Sequence, residues 1–162
     1  MIHLLITGGT LDKDYDPIGG ELTFPGSCVP GMLEQARCTV ALESTVLMQK
    51  DSLEMDDADR AQILQACQHS PHRHIVITHG TDTLVETGRV LAEARLDKVI
   101  VLTGAMRPHR LGRSDALFNL GAAMMAVQLA PKGVWVAMNG QLLPVAQTQK
   151  NRRLGRFERV SS

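Results

Sequence analysis

Four short apolar runs, each unbroken and each stopped by glycine or a small polar residue, limit what this chain can fold into. Ile2 to Ile6 stops at Thr7-Gly8-Gly9-Thr10, and His74 to Thr78 stops at His79-Gly80-Thr81-Asp82. Lys98 to Thr103 stops at Gly104-Ala105, and Gly133 to Met138 stops at Asn139-Gly140. A strand with one face in water alternates apolar and polar residues. These runs do not alternate, so both faces must be covered, as in a parallel sheet with helices on either side. A fifth strand is expected within 39–48, where mixed polarity leaves its limits vague.

Helical patterns fill the intervals. Asp56 to Asp59 supply caps and N-terminal acids ahead of Ile63, Leu64 and Cys67. Thr83 and Glu86 match a capping box leading into Val90 and Leu91. Ser114 or Asp115 is expected to cap a helix carrying Leu117, Phe118, Leu120, Met124 and Leu129, ended by Pro131. Its leucine stripe and the Met124-Met125 pair read as core. A shorter helix fits Leu33 to Arg37. Strands alternating with helices through short links predict an α/β fold with a doubly wound, mainly parallel sheet, Rossmann- or flavodoxin-like. Two stretches break the rhythm. Residues 11–30, polar and rich in Gly and Pro, predict a long lid or hairpin after the first strand. Lys150 to Arg159 forms a basic tail.

Composition narrows the function classes. A chain of 162 residues suits one domain and can hide about 70% of its unfolded surface. With 17 basic and 17 acidic side chains the net charge is zero, which argues against nucleic acid or an anionic membrane as the main partner. One Tyr, one Trp and three Phe leave little for stacking on bases or sugars, and the lone Tyr15 stands out. Cys28, Cys38 and Cys67 are odd in number and scattered, so they read as free thiols. His69, His72 and His74 have no carboxylate or thiol to complete a metal set; no metal or cofactor is expected. The N-terminus lacks a basic n-region, and no apolar run approaches the ~20 residues of a membrane-spanning helix. A cytoplasmic protein without membrane attachment is expected.

In an open parallel sheet, ligands bind beyond the C-terminal ends of the strands. The residues falling there are rich in hydroxyls and carboxylates: Thr7, Thr10, Asp51, Ser52, Thr81, Asp82, Thr83 and Thr103. Glycines among them let backbone N–H groups approach a ligand or a developing oxyanion. That mixture suits acyl transfer, in which a hydroxyl attacks a carbonyl. A threonine hydroxyl needs a base. His79 is either that base or a structural histidine at a strand end, and a desolvated lysine is the other option.

The strings themselves resemble the bacterial-type L-asparaginase family. Thr7-Gly8-Gly9-Thr10-Leu11 is similar to its first signature, and His79-Gly80-Thr81-Asp82-Thr83 to its second. Asp51 to Met55 resembles the substrate loop between them. Leu102 to Pro108, then Ser114-Asp115 and Phe118-Asn119-Leu120, resemble the next block; Ala137 to Gly140 followed by Lys150 resembles the block with the catalytic lysine. The resemblance implies that Thr10 is the nucleophile, with Tyr15 as its activating neighbour. It implies a second group in which Lys150 polarises Thr81 and Asp82 receives the substrate α-amino group. Ser52, beside Asp51, binds the α-carboxylate with backbone N–H groups near Gly9 and Gly80, and the Ala105 carbonyl holds the leaving nitrogen. The implied reaction is hydrolysis of L-asparagine to L-aspartate and ammonia through a threonyl ester, without a cofactor.

The family pattern also breaks in places. Its members run to about twice this length, with a second, C-terminal domain. Residues 1–162 are therefore expected to be a single domain of the N-terminal catalytic type, with no C-terminal domain. Leu53 stands where a polar substrate-binding residue is usual, and Asn151 where a Thr is usual. Arg152 or Arg156 of a second subunit is an expected source of closure. A homo-oligomer, dimer or tetramer, is expected, with asparagine and aspartate as ligands and no nucleic acid. Two alternatives stand beside the hydrolase: an amino-acid-binding module with lost or weak catalysis, and a tRNA-amidotransferase-associated domain.

Overall fold

A computed structural model describes residues 1–160. The chain opens with β1 (Ile2–Gly8), buried along its whole length. A small hairpin follows, β2 (Asp14–Asp16) against β3 (Glu21–Thr23), then α1 (Val29–Gln35) and β4 (Leu42–Lys50). Next come α2 (Asp57–His69), β5 (His74–Thr78), α3 (Leu84–Glu93), β6 (Val99–Thr103), α4 (Ala116–Leu129) and β7 (Gly133–Met138). Three short strands close it: β8 (Gln141–Pro144), β9 (Thr148–Asn151) and β10 (Arg156–Arg159).

The main sheet runs β4-β1-β5-β6-β7-β8, parallel throughout except for the last pair. The unbroken apolar runs behave as expected of strands covered on both sides. Leu4, Ile6, Val76 and Val101 point into a core shared with α1 and α4, while Leu5, Ile75, Ile77, Ile100 and Leu102 point into a second core with Ile63 of α2 and Leu84 and Leu91 of α3. The register Ile6↔Thr78 and Thr78↔Thr103 brings three strand ends level. The loops after β1, β5 and β6 therefore share one rim of the sheet, where an open α/β sheet holds its ligand. The α/β, mainly parallel fold stands as expected, and the hairpin lies where residues 11–30 predicted it.

Several local expectations need correction. The fifth strand starts and ends later than predicted, at Leu42 and Lys50. β8 is an antiparallel edge strand formed after a tight turn, in which Asn139 and Gly140 both take positive φ. The short helix begins at Val29 rather than Leu33. The Asp56–Asp59 capping box is present, but Thr83 does not cap α3 with its side chain. Its hydroxyl instead donates to the Ser52 carbonyl at 2.8 Å. Of the two expected caps for α4, Ser114 serves: its Oγ accepts from the Ala116 N–H at 2.9 Å, whereas Asp115 makes no side-chain cap bond and accepts from the Met106 and Arg107 N–H groups. The α4 stripe is only half core: Leu120 and Met124 are buried, whereas Phe118, Met125 and Leu129 face outward. The basic tail is a β-hairpin anchored by fully buried Phe157.

Candidate functional site

Three loops meet at the C-terminal rim within backbone contact. Gly9 has φ +76°, and a Cβ there would fall 2.4 Å from the Gly80 nitrogen. A Cβ on Gly80 would fall 2.6 Å from Cβ of Ser52. Only glycine at both positions lets the loop after β1, the loop after β5 and the Ser52 turn stack directly. The result is a floor of backbone with hydroxyls around it.

Lys150 reaches this floor from β9. Its Nζ donates to Thr81 Oγ1 at 2.8 Å and to Asp82 Oδ1 at 2.8 Å. The reason is the hairpin register. Phe157 pairs with Lys150, and cross-strand partners project from the same face. Burying Phe157 in the core with Leu84 and Val145 therefore aims Lys150 inward. Its side chain is 10% exposed, with the ammonium aimed at a hydroxyl and a carboxylate. Such a set can carry a proton to or from Thr81, with the carboxylate holding the lysine in place.

The opposite wall is the loop after β1. Thr10 opens a single 3-10 turn, Thr10–Asp12, and is half-buried. Its hydroxyl has no hydrogen-bond partner among the described residues. Asp12 is fully buried, its Oδ1 accepting from the Cys28 N–H at 3.0 Å. Arg110 donates to the Asp12 carbonyl at 2.7 Å and to the Gly26 carbonyl at 2.8 Å, clamping both ends of the hairpin segment. Tyr15 lies on β2 opposite Leu22 and is half-exposed. Lys13 bonds Asp51 Oδ2 at 2.6 Å, and this pairing holds the Asp51 carboxyl below its usual range. Lys150 contributes to that lowering as well, which places the two walls within electrostatic reach.

The remaining expected residues take varied positions. Ser52 is buried, and its Oγ accepts from the Thr83 N–H at 3.2 Å. Ala105 is buried beside Gly104, where a Cβ would lie 3.3 Å from the Thr81 methyl carbon. The Gly9 N–H is already taken by the Lys50 carbonyl at 2.9 Å, so an anion must find its donors on neighbouring amides. His79 is structural rather than basic. It is fully buried, with Nδ1 on the Gly80 carbonyl at 2.7 Å and Nε2 on Thr87 Oγ1 at 2.8 Å. Burial lowers its pKa to about 4. Thr7 and Thr103 are fully buried and spend their hydroxyls on the Thr78 and Ala137 carbonyls. His72 pairs with Glu43, and no group of metal-ligating side chains occurs among the described residues.

Sequence reasoning missed Lys13 and Arg110, which carry no local signal and act only through distant partners. Arg152 reaches Asp82 of its own chain: Nη2 donates to the Asp82 carbonyl at 3.1 Å, and Nε lies 3.6 Å from Oδ1.

An open α/β sheet with a threonine, a lysine and an aspartate bonded together over its strand ends defines a narrow class of proteins. The chain belongs to the asparaginase family: the family model "Asparaginase, N-terminal" matches residues 1–158. Over 152 residues it is 32% identical to one of the subunits of glutamyl-tRNA(Gln) amidotransferase from Methanococcus vannielii, covering 87% of this chain and 34% of that protein. It is 43% identical over 72 residues to L-asparaginase 2 of Escherichia coli, covering 42% of this chain and 21% of that one. The thermostable L-asparaginase from Thermococcus kodakarensis superposes with a TM-score of 0.88 at 26% identity, over 99% of this chain and 51% of that one. A probable cytoplasmic L-asparaginase from Campylobacter jejuni gives 0.82 at 29% identity, over 98% and 52%. The chain thus spans about half of the solved structures and about a third or less of these curated relatives.

Proposed function

We propose that this chain is an amidohydrolase that converts L-asparagine to L-aspartate and ammonia. What carries the reading is Lys150 Nζ, 2.8 Å from both Thr81 Oγ1 and Asp82 Oδ1, beside a loop that presents an uncommitted Thr10 hydroxyl. In the first step the Thr10 oxygen attacks the side-chain carbonyl carbon, its proton passes by way of Tyr15, and the C–N bond breaks to release ammonia. In the second, water attacks the ester carbonyl carbon, its proton passes through the Thr81 hydroxyl that Lys150 holds, and the C–O bond to Thr10 breaks, the Thr10 oxygen taking a proton back as aspartate leaves. Ser52 and the amides around Gly80, beside Asp51, receive the α-carboxylate. Asp82 faces the α-nitrogen, and the Ala105 carbonyl holds the leaving amide. The test is ammonia release at millimolar asparagine. The wild-type protein is expected to release it and Thr10→Ala is not; a wild-type rate equal to blank overturns the reading.

A second reading rests on the similarity to the glutamyl-tRNA(Gln) amidotransferase component. In it the domain works within a tRNA-dependent complex, and salt-dependent tRNA binding is expected. The zero net charge favours the free hydrolase. A third state, an amino-acid-binding module, predicts thermal stabilisation by aspartate without turnover. Cytoplasmic residence and self-association as a dimer or tetramer belong to the first reading, and the outward-facing Phe118, Met125 and Leu129 of α4 support the association.

A further inference from the structure

Lys150 and Asp82 border two spaces. One is the floor of hydroxyls described above. The other is a cleft between α3 and β9, about 170 Å³ in volume, bordered by Asp82, Glu86, Arg89, Lys150 and Arg152 among others. None of Gly9, Thr10, Ser52, Gly80 and Thr81 borders it. Glu86 and Arg89 lie three residues apart on α3 and so share one face of that helix. At about 30 Å³ per water in the liquid, the cleft has room for one small ion and a few waters.

The charges around the cleft are unequally committed. Both carboxylates already face cations: Asp82 takes Lys150 at 2.8 Å and Arg152 at 3.6 Å, and Glu86 faces Arg60 at 3.5 Å, a residue outside the cleft. The cations of the cleft keep donors in reserve. Among the described residues, the Arg89 side chain has no hydrogen-bond or ion-pair partner, although it lines the cleft. Arg152 donates from Nη2 to the Asp82 carbonyl, and its Nη1 bonds to none of the described residues. Lys150, nine-tenths buried, gives two of its three N–H groups to Thr81 and Asp82. Guanidinium forks match oxyanions with paired N–H donors.

We propose that this cleft binds a small oxyanion, a free phosphate or a dicarboxylate, between Arg89 and Arg152, and that its occupation slows turnover. An anion there draws Arg152 from Asp82 and accepts from the third N–H of Lys150. Both contacts compete with those that hold Lys150 on Thr81. The residues of the floor are untouched, so the anion lowers kcat and leaves substrate binding as it was. The binding stands apart from the amidohydrolase reading above, and the inhibition rests on it.

The test measures ammonia release from L-asparagine with millimolar inorganic phosphate or succinate, in wild type and Arg89→Gln. Sodium chloride holds the ionic strength constant, so general screening does not change. Wild-type kcat is expected to fall at least threefold with KM unchanged. Arg89→Gln, remote from the floor, is expected to keep the wild-type rate without added anion and to lose most of the response. Which of the two salts acts tells phosphate from dicarboxylate. A rise in KM at constant kcat places the anion at the substrate's own carboxylate position and overturns the proposal. An equal response in Arg89→Gln, or none in wild type to either salt, also overturns it and leaves the hydrolase reading intact. If asparagine is not turned over at all, the hydrolase reading fails and the site is read by binding alone. One of the two anions should then raise the wild-type Tm at constant ionic strength and leave that of Arg89→Gln unmoved. Equal shifts in both proteins, or no shift, overturn the proposal.

Discussion

His79 illustrates how a single residue at the rim can serve the fold rather than the chemistry. The Gly80 carbonyl can only accept, so Nδ1 carries the proton and Nε2 accepts from Thr87. Protonating Nε2 would remove that acceptor inside the core. The folded pKa is lowered to about 4, chiefly by burial, against about 6.5 unfolded. The unfolded chain therefore binds more protons between these values, and stability falls as pH drops from 6.5 through 4. The loss from this group reaches about 3 kcal/mol at most. Urea midpoints measured from pH 7 to 4.5 should decline in wild type and decline less in His79→Gln. Lys150 sits at the same rim with the opposite assignment. Lys150→Ala is expected to lower kcat for amide hydrolysis by about 10²–10⁴, with circular dichroism unchanged. Activity within twofold of wild type would remove it from the proposed chemistry. The half-buried Cys28 and buried Cys67 thiols are inert by the same logic as His79: desolvation, first of all, pushes both up to about 12.

Two elements hold the proposed chemistry in place. The β9–β10 hairpin is anchored in the core by Phe157, through its buried ring and its N–H bond to Asn139 Oδ1 at 2.8 Å. Phe157→Ala should cost about 3–5 kcal/mol of stability and free the strand that carries Lys150. Denaturant unfolding measures the first effect. A fall in activity at temperatures where the variant remains folded measures the second. The loop bearing Thr10 is fixed from outside by Arg110, whose guanidinium spans the Asp12 and Gly26 carbonyls. Removing it leaves both carbonyls without that donor and lets the hairpin drift. Since a 1 Å misplacement of reacting groups can cost about 10² in rate, Arg110→Ala is expected to lower kcat about tenfold or more. Tm should fall by only a few degrees. A variant with unchanged kcat would show that the loop positions itself.

At the scale of the molecule, the sheet is asymmetric in what covers it. The face with α2 and α3 is closed, whereas α4 leaves Phe118, Met125 and Leu129 outward on the other side. These positions recur at helical spacing along one face of α4. An apolar stripe of this kind on a surface helix favours association with another apolar surface. Light scattering at micromolar concentration should report a species larger than one chain. Met125→Lys with Leu129→Lys should shift it to the single-chain mass without lowering Tm by more than a few degrees, whereas a wild-type protein already at that mass would count against self-association.

Much of this is legible in the order of the residues. Unbroken apolar runs at Ile2, His74, Lys98 and Gly133 require strands buried on both faces, and that alone specifies a parallel α/β sheet with loops gathered at one rim. The strings at Thr7–Leu11 and His79–Thr83 mark which loops carry hydroxyls. The tertiary structure decided matters that depend on residues far apart in the chain. The φ and spacing of Gly9 acquire meaning only against Gly80, and the direction of Lys150 depends on Phe157 across a turn. Thr83 gave up its cap for the Ser52 carbonyl, because that acceptor is 31 residues away in sequence and adjacent in space. The Lys13–Asp51 and Arg152–Asp82 pairs likewise join residues with no shared local pattern. Periodicity reports what a residue's own element must bury. Which charges meet across a site is set by how the elements stack, and no period in the sequence encodes that.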